Sequence, residues 1–246
     1  MGSVGQTPAH CKGSAVRVPA SLLALPCAVN GRTRAGAGAP VHSVAMERAF
    51  AYLIAGWSGY FVMALELLGG RALAPYFGSS IHVWGAIITV FMLALSLGYL
   101  AGGAWSRRSP SQARLALLLA GAALCAVPVA LGSDALLDAL SARLADPRLA
   151  SLCAALALFF VPTMISGMVS PYAVRLLVDE RAGAGAAAGR LYFVSTFGSA
   201  AGTLLTSFYL VLYFELATLL WAMIVASFAI ALVALAAMAW RPAARA

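Results

Sequence analysis

Six long apolar runs lie between Ala49 and Trp240, separated by short polar joints. A helix rises about 1.5 Å per residue, so crossing a hydrocarbon core of about 30 Å takes roughly 20 apolar residues. Lipid offers no hydrogen bonds, so each backbone amide in such a run must be satisfied within its own segment, and the segment must be helical. The spacing predicts spans at 49–68, 82–105, 114–132, 149–170, 190–213 and 216–240. A hydrophobic fraction of 63% and a charged fraction of 10% fit a bilayer and lie outside the balance of a water-soluble domain. The expected fold class is an all-α membrane protein, a multi-pass six-helix bundle.

Orientation follows from the basic residues. Lys12, Arg17, Arg32, Arg34 and Arg48 precede the first span, and Arg71 stands alone in the first joint. Arg107, Arg108 and Arg114 mark the second joint, Arg143 and Arg148 the third, and Arg175, Arg181 and Arg190 the fourth. The fifth has none, and Arg241 and Arg245 follow the last span. Six spans put 13 of the 16 Lys and Arg on the side of the two termini. The positive-inside rule then makes both termini cytoplasmic. The net charge of +8 arises from residues flanking helices, with no aromatic-interleaved stripe, so nucleic acid is not the expected partner. The lipid bilayer is.

Residues 1–45 contain no Asp or Glu and show no sustained periodicity. They read as a disordered extension, with Met46 as an alternative start before a domain covering 46–246. A secretory signal (Lys12 and Arg17 before Ser21 to Val29, broken by Pro26) and a basic organelle transit peptide are the other readings. Cys125 and Cys153 lie in spans and are expected to be buried structural thiols. His82 is the only histidine beyond the extension, so no metal centre is expected.

Three local sequences carry more information. The first joint reads Glu66-Leu-Leu-Gly-Gly-Arg71-Ala-Leu-Ala-Pro75-Tyr-Phe-Gly78, then His82 and Trp84. Later come Gly167-Met-Val-Ser-Pro171-Tyr172 before Arg175, and Gly189-Arg190-Leu-Tyr192 running through Ser195 and Gly198 to Gly202-Thr203. Together these resemble the membrane portion of bacterial fused transporter-like spermidine synthases. In that family a bundle similar to half of a major-facilitator transporter precedes a cytosolic aminopropyltransferase-like domain. The resemblance covers about residues 49–240 and implies residence in the bacterial cytoplasmic (inner) membrane. The soluble domain that would follow the last span does not appear in this sequence. Gly69-Gly70 and Gly102-Gly103 have no preceding strand to make cofactor loops, and the eight acids form no acid–base pair. This chain alone is therefore not expected to be an enzyme or to hold a cofactor.

Candidate substrate-binding residues are Glu66, Arg71, His82, Tyr172 and Tyr192. Ionisable groups at bilayer depth are costly, by about 2.5–3.5 kcal/mol on insertion scales, and so mark sites. Glu66 either attracts a cationic substrate or forms a salt bridge to Arg71 that fixes a sharp turn built from Gly69, Gly70, Pro75 and Gly78. Tyr60, Tyr172, Tyr192, Tyr209 and Tyr213, with Trp57 and Trp84, either cradle an amine by cation–π contact or belong to interfacial belts and cores. Gly98 and Gly102 make a small-residue face, repeated by Gly198 and Gly202, for close helix packing.

Six spans make half of the usual two-repeat transporter, so a homodimer through the second and fifth spans, or a soluble spermidine-synthase-like subunit, is expected as partner. Two functions remain open. One is an anchor for a separate aminopropyltransferase-like enzyme of polyamine metabolism, the other a small transporter of polyamines or related metabolites. Reporter fusions placed after Arg107 and after Arg175 should be active in the cytoplasm, and one placed after Glu215 should be active on the far side. Activity in the reverse pattern overturns the orientation.

Overall fold

The computed structural model describes residues 41–107, 110–177 and 184–240, and all regular structure among them is helical. The elements are α1 (Val41–Phe77), α2 (Ile81–Trp105), α3 (Gln112–Gly132), α4 (Asp134–Arg143), α5 (Pro147–Leu177), α6 (Ala184–Leu205) and α7 (Leu216–Ala239). After α6 the chain continues through a π-helical turn, Thr206–Leu210, into a last turn at Val211–Tyr213. Six helices, Met46–Phe77, Ile81–Trp105, Gln112–Gly132, Pro147–Leu177, Gly185–Tyr213 and Leu216–Ala239, are long and apolar enough to cross a membrane. The expectation of a disordered 1–45 falls mostly outside the described residues; the part inside them, 41–45, is the first turn of α1.

One local expectation needs correction. α1 does not turn at Gly69-Gly70 but runs on to Phe77. Both glycines face packed rings: a Cβ at Gly69 would press on Phe159 of α5, and one at Gly70 would meet Trp84 of α2. The absent side chains thus admit aromatic neighbours rather than bend the backbone. The turn comes later, where Pro75 leaves the Arg71 carbonyl without its helical donor. Gly78 then takes φ +78, its N–H donating to the Ala74 carbonyl at 2.9 Å, in the left-handed arrangement that ends helices. The third joint contains a helix of its own, α4. This helix buries Leu137 against α1 and α5 and carries Asp134 in its first turn and Arg143 in its last, as the helix dipole favours.

The bundle is organised by two equivalent crossings. α5 lies along α2, and α6 lies along α1. On the first crossing a Cβ at Gly98 would strike the Met164 carbonyl, one at Gly102 that of Met168, and one at Gly167 that of Leu95. The second crossing repeats this: Gly198 meets the Gly56 carbonyl, Gly202 that of Tyr60, and Gly59 that of Ser195. The sequence carries the repeat as Ser96-x-Gly98-x-x-Ala101-Gly102 and Thr196-x-Gly198-x-x-Ala201-Gly202, and as Ser58-Gly59 and Ser166-Gly167. α1 and α5 pack antiparallel, with Ser58 against Ser166 and Gly69 against Phe159. The helix triples α1–α2–α3 and α5–α6–α7 are therefore an inverted repeat, with Ser58 and Ser166 facing each other across its pseudo-twofold axis.

Two apolar clusters fill the space between helices. One, around Phe61, Phe91 and Phe159, packs the half of the bundle near α4. The other, around Ile54, Leu119 and Tyr172, packs the opposite half. Because the glycine faces are spent inside the chain, they are not the surface through which a second copy would dock.

Gly98→Ala and Gly198→Ala should each cost about 1–3 kcal/mol, because the added methyl meets backbone rather than a movable side chain. Gly85→Ala and Gly103→Ala, with open space at the Cβ, should be neutral or gain up to about 1 kcal/mol of helix propensity. Thermal unfolding in detergent separates the two pairs. Equal effects would refute the crossing geometry.

Candidate functional site

The centre of the inverted repeat is polar. Ser58 Oγ donates to the Ser166 carbonyl at 3.1 Å and lies 3.1 Å from Ser166 Oγ, with both residues buried. One turn along α5, Ser170 Oγ lies 3.4 Å from Ser195 Oγ of α6. On α6 the Ser199 hydroxyl donates to the Ser195 carbonyl and that of Thr203 to the Ser199 carbonyl, each at 3.1 Å. Such back-bonds to the preceding turn are the usual fate of hydroxyls in apolar helices. Thr163, fully buried one turn from Ser166, makes none: its Oγ1 has no hydrogen-bond partner among the described residues. The result is a seam of hydroxyls near the middle of the bundle, able to donate and accept hydrogen bonds without fixed charge.

Glu66 adds the charge-bearing group. It is 8% exposed, on the same helix as Ser58 and about 12 Å further along its axis. With α1 continuing to Phe77, Glu66 sits closer to the helix midpoint than to its end, deeper than the sequence suggested. The expected salt bridge to Arg71 is not formed. Five residues along an unbroken helix turn the two side chains about 140° apart. Arg71, exposed, instead donates from Nη1 to the Val211 carbonyl at 2.8 Å, satisfying a free carbonyl in the last turn after α6. Among the described residues Glu66 has neither hydrogen-bond nor ion-pair partner; most of the side chain is buried, and its carboxyl oxygens reach the surface of the bundle.

The other candidates do not converge on it. His82 is exposed in the first turn of α2, at the same end of the bundle as Arg71. Tyr172 lies about 21 Å from Glu66 along the bundle axis, fully buried at the opposite end. There its hydroxyl accepts from the Ser111 N–H at 3.0 Å and its ring meets Trp105 edge-on at 6.1 Å, which is a positioning role for the α2–α3 connection. Tyr192 is exposed on α6. The proposed aromatic cradle does not assemble: Tyr209 and Tyr213 face outward, and Trp84 packs over Gly70. Only Trp57 and Tyr60 stack, at 5.0 Å and 14°. Of the two core cysteines, Cys125 is half-buried and Cys153 exposed, so neither is the fully buried thiol expected.

The Ser58–Ser166 pair escaped sequence reasoning although its signal was present, as the Ser-Gly dipeptide shared by α1 and α5. A scan against protein-family models and searches of curated proteins and of solved structures return no match to this chain.

Ser58→Ala and Ser166→Ala should each destabilise the bundle modestly, and a double-mutant cycle should give a coupling of about 0.6 kcal/mol, up to about 1.7. Unfolding of reconstituted protein measures it. Additive effects would show that the two hydroxyls do not interact.

Proposed function

We propose that this chain is a membrane unit of polyamine handling, a small carrier for polyamines or related cationic metabolites with Glu66 as the amine-binding carboxyl. The observation that carries the reading is Glu66, 8% exposed and without a partner among the described residues, on the helix that also supplies Ser58 of the central hydroxyl seam. A cationic amine offers that carboxyl a charge-assisted hydrogen bond, and the seam offers acceptors to further N–H groups along a flexible polyamine. The inverted repeat supports the same reading, since transporters are commonly built from such repeats with their sites near mid-membrane at the repeat interface. The resemblance to the membrane portion of transporter-like spermidine synthases supplies the substrate class, the half-transporter architecture and the inner-membrane location.

A second reading keeps the chain in polyamine metabolism as an anchor for a separate aminopropyltransferase-like enzyme. What supports it is the excess of arginine at one end of the bundle, with Arg48, Arg107, Arg114, Arg175 and Arg190 beside Glu47, whereas Asp134, Asp138, Asp146 and Glu215 share the other end with Arg71, Arg143 and Arg148. With the termini cytoplasmic, that basic end would meet an acidic soluble partner or anionic headgroups.

Proteoliposomes should take up labelled spermidine or putrescine, and Glu66→Gln should raise the half-saturating concentration on the order of tenfold to a hundredfold, the loss of one charge-assisted bond. Thermal stability should hold, because no ion pair is broken. A variant that keeps uptake but unfolds earlier would make Glu66 structural. Absent uptake, together with co-purification of a soluble aminopropyltransferase-like protein in native lipid, would favour the anchor.

A further inference from the structure

Only Phe214 and Glu215 separate the last turn after α6 from α7, yet α6 and α7 barely touch. Between them lies a cleft of about 310 Å³, open on one side and floored by α1. Trp57, Tyr60, Leu210, Phe214, Met223 and Ala226 make its walls, with Leu68 and Leu219. No charged side chain lines it. Trp57 is held there by its indole N–H, which donates to Ser227 Oγ at 2.8 Å. The π-helical turn places Thr206 in the wall, and Thr206 Oγ1, in a residue 1% exposed, has no partner among the described residues. Unlike Ser199 and Thr203 it does not bond back to its own helix, so its hydroxyl is available to an acceptor in the cleft.

Two charged residues adjoin the lining positions. Arg71 stands one turn beyond Leu68 and binds the Val211 carbonyl between Leu210 and Phe214, with further guanidinium N–H groups to offer. Glu215, exposed, caps α7 without a side-chain hydrogen bond. We propose that the cleft holds one acyl chain of a membrane phospholipid whose headgroup carries a phosphate and a primary ammonium. The phosphate meets Arg71 and the ammonium meets Glu215. The ester carbonyl, one short linker below the phosphate, accepts from Thr206, which lies about 7 Å deeper than Val211 along the helix. The chain then runs past Trp57 and Met223. A free amine has no carboxylate in this cleft to bind, and the opening between two spans is reached from the bilayer rather than from water.

The test uses the full chain in phosphatidylcholine vesicles containing a small fraction of chain-diazirine phosphatidylethanolamine or phosphatidylglycerol, with labelled residues mapped by mass spectrometry. The ethanolamine probe should label Leu219 and Met223 above the lipid-facing Leu124 and Leu232, and Ala222→Trp, at an exposed wall position, should cut that labelling about fivefold or more. Glu215→Gln should bring the ethanolamine probe down to the glycerol probe, and Arg71→Gln should lower both. Labelling spread evenly over Leu124, Leu232 and the cleft, or unchanged in Ala222→Trp, overturns the site. Equal labelling by both headgroups in the unmodified protein overturns the headgroup assignment. Should Arg71→Gln fail to fold, Ala222→Trp and Glu215→Gln still decide the outcome.

Discussion

Backbone-to-backbone contact at two glycine crossings is what the bundle depends on. Apolar side chains gain little by leaving lipid for one another, so helices in a membrane hold together through close packing and hydrogen bonds. Gly98, Gly102 and Gly167 bring α2 onto α5, and Gly198, Gly202 and Gly59 bring α6 onto α1. These contacts fix the register of both crossings. That register places Ser58 opposite Ser166, Phe159 beneath Gly69, and Glu66 between those two levels.

The repeat explains which parts of the molecule are tight and which are loose. α1 lies against α5 and α6, and α5 against α2, α3 and α1, so the two symmetry-related helices form the interior. α6 has α1 as its main neighbour and is the least buried of the six spans. The π turn at Thr206–Leu210 follows the glycine crossing with α1, whose last glycine, Gly202, meets Tyr60. There an extra residue per turn reorients the wall of the cleft without disturbing the crossing. Insertions of this kind are common at functional positions in helices.

Much of this was legible in the sequence, and its limits are physical. Span number and position follow from hydropathy because the bilayer demands length and backbone closure, and both leave long runs. Helix ends do not follow so well. Gly69-Gly70 looks like a breaker and is a packing notch, because a glycine's meaning depends on what approaches it, here Phe159 and Trp84. The short α4 was lost in a polar joint, ten residues being too few for periodicity to stand out. The small-residue faces were legible, but not their partners, since Gly98 and Gly198 look as able to meet another chain as their own. The Ser-x-Gly-x-x-Ala-Gly signature and its Thr-initiated twin identify the partners once they are read as a repeat. Of the five site candidates, only Glu66 gained from the structure. Its fate turned on whether α1 continued past Gly70, which neighbouring helices decide.

The most informative feature of the repeat is where it fails. Glu66 follows Gly59 by seven residues, and Val174 follows Gly167 by seven, so the carboxyl on α1 is matched by an apolar side chain on α5. Because the repeat is inverted, Val174 lies toward the end that carries Arg107, Arg114 and Arg175, and Glu66 toward the end that does not. Val174 packs against the apolar cluster around Ile54, Leu119 and Tyr172. At position 66 the nearest arginine in sequence is turned to another face and engaged with Val211. An acid at this depth without a protein partner is costly, and α5 carries valine at the matching position. The carboxyl thus marks one half of the repeat and not the other, and that asymmetry is what the proposed cation site rests on.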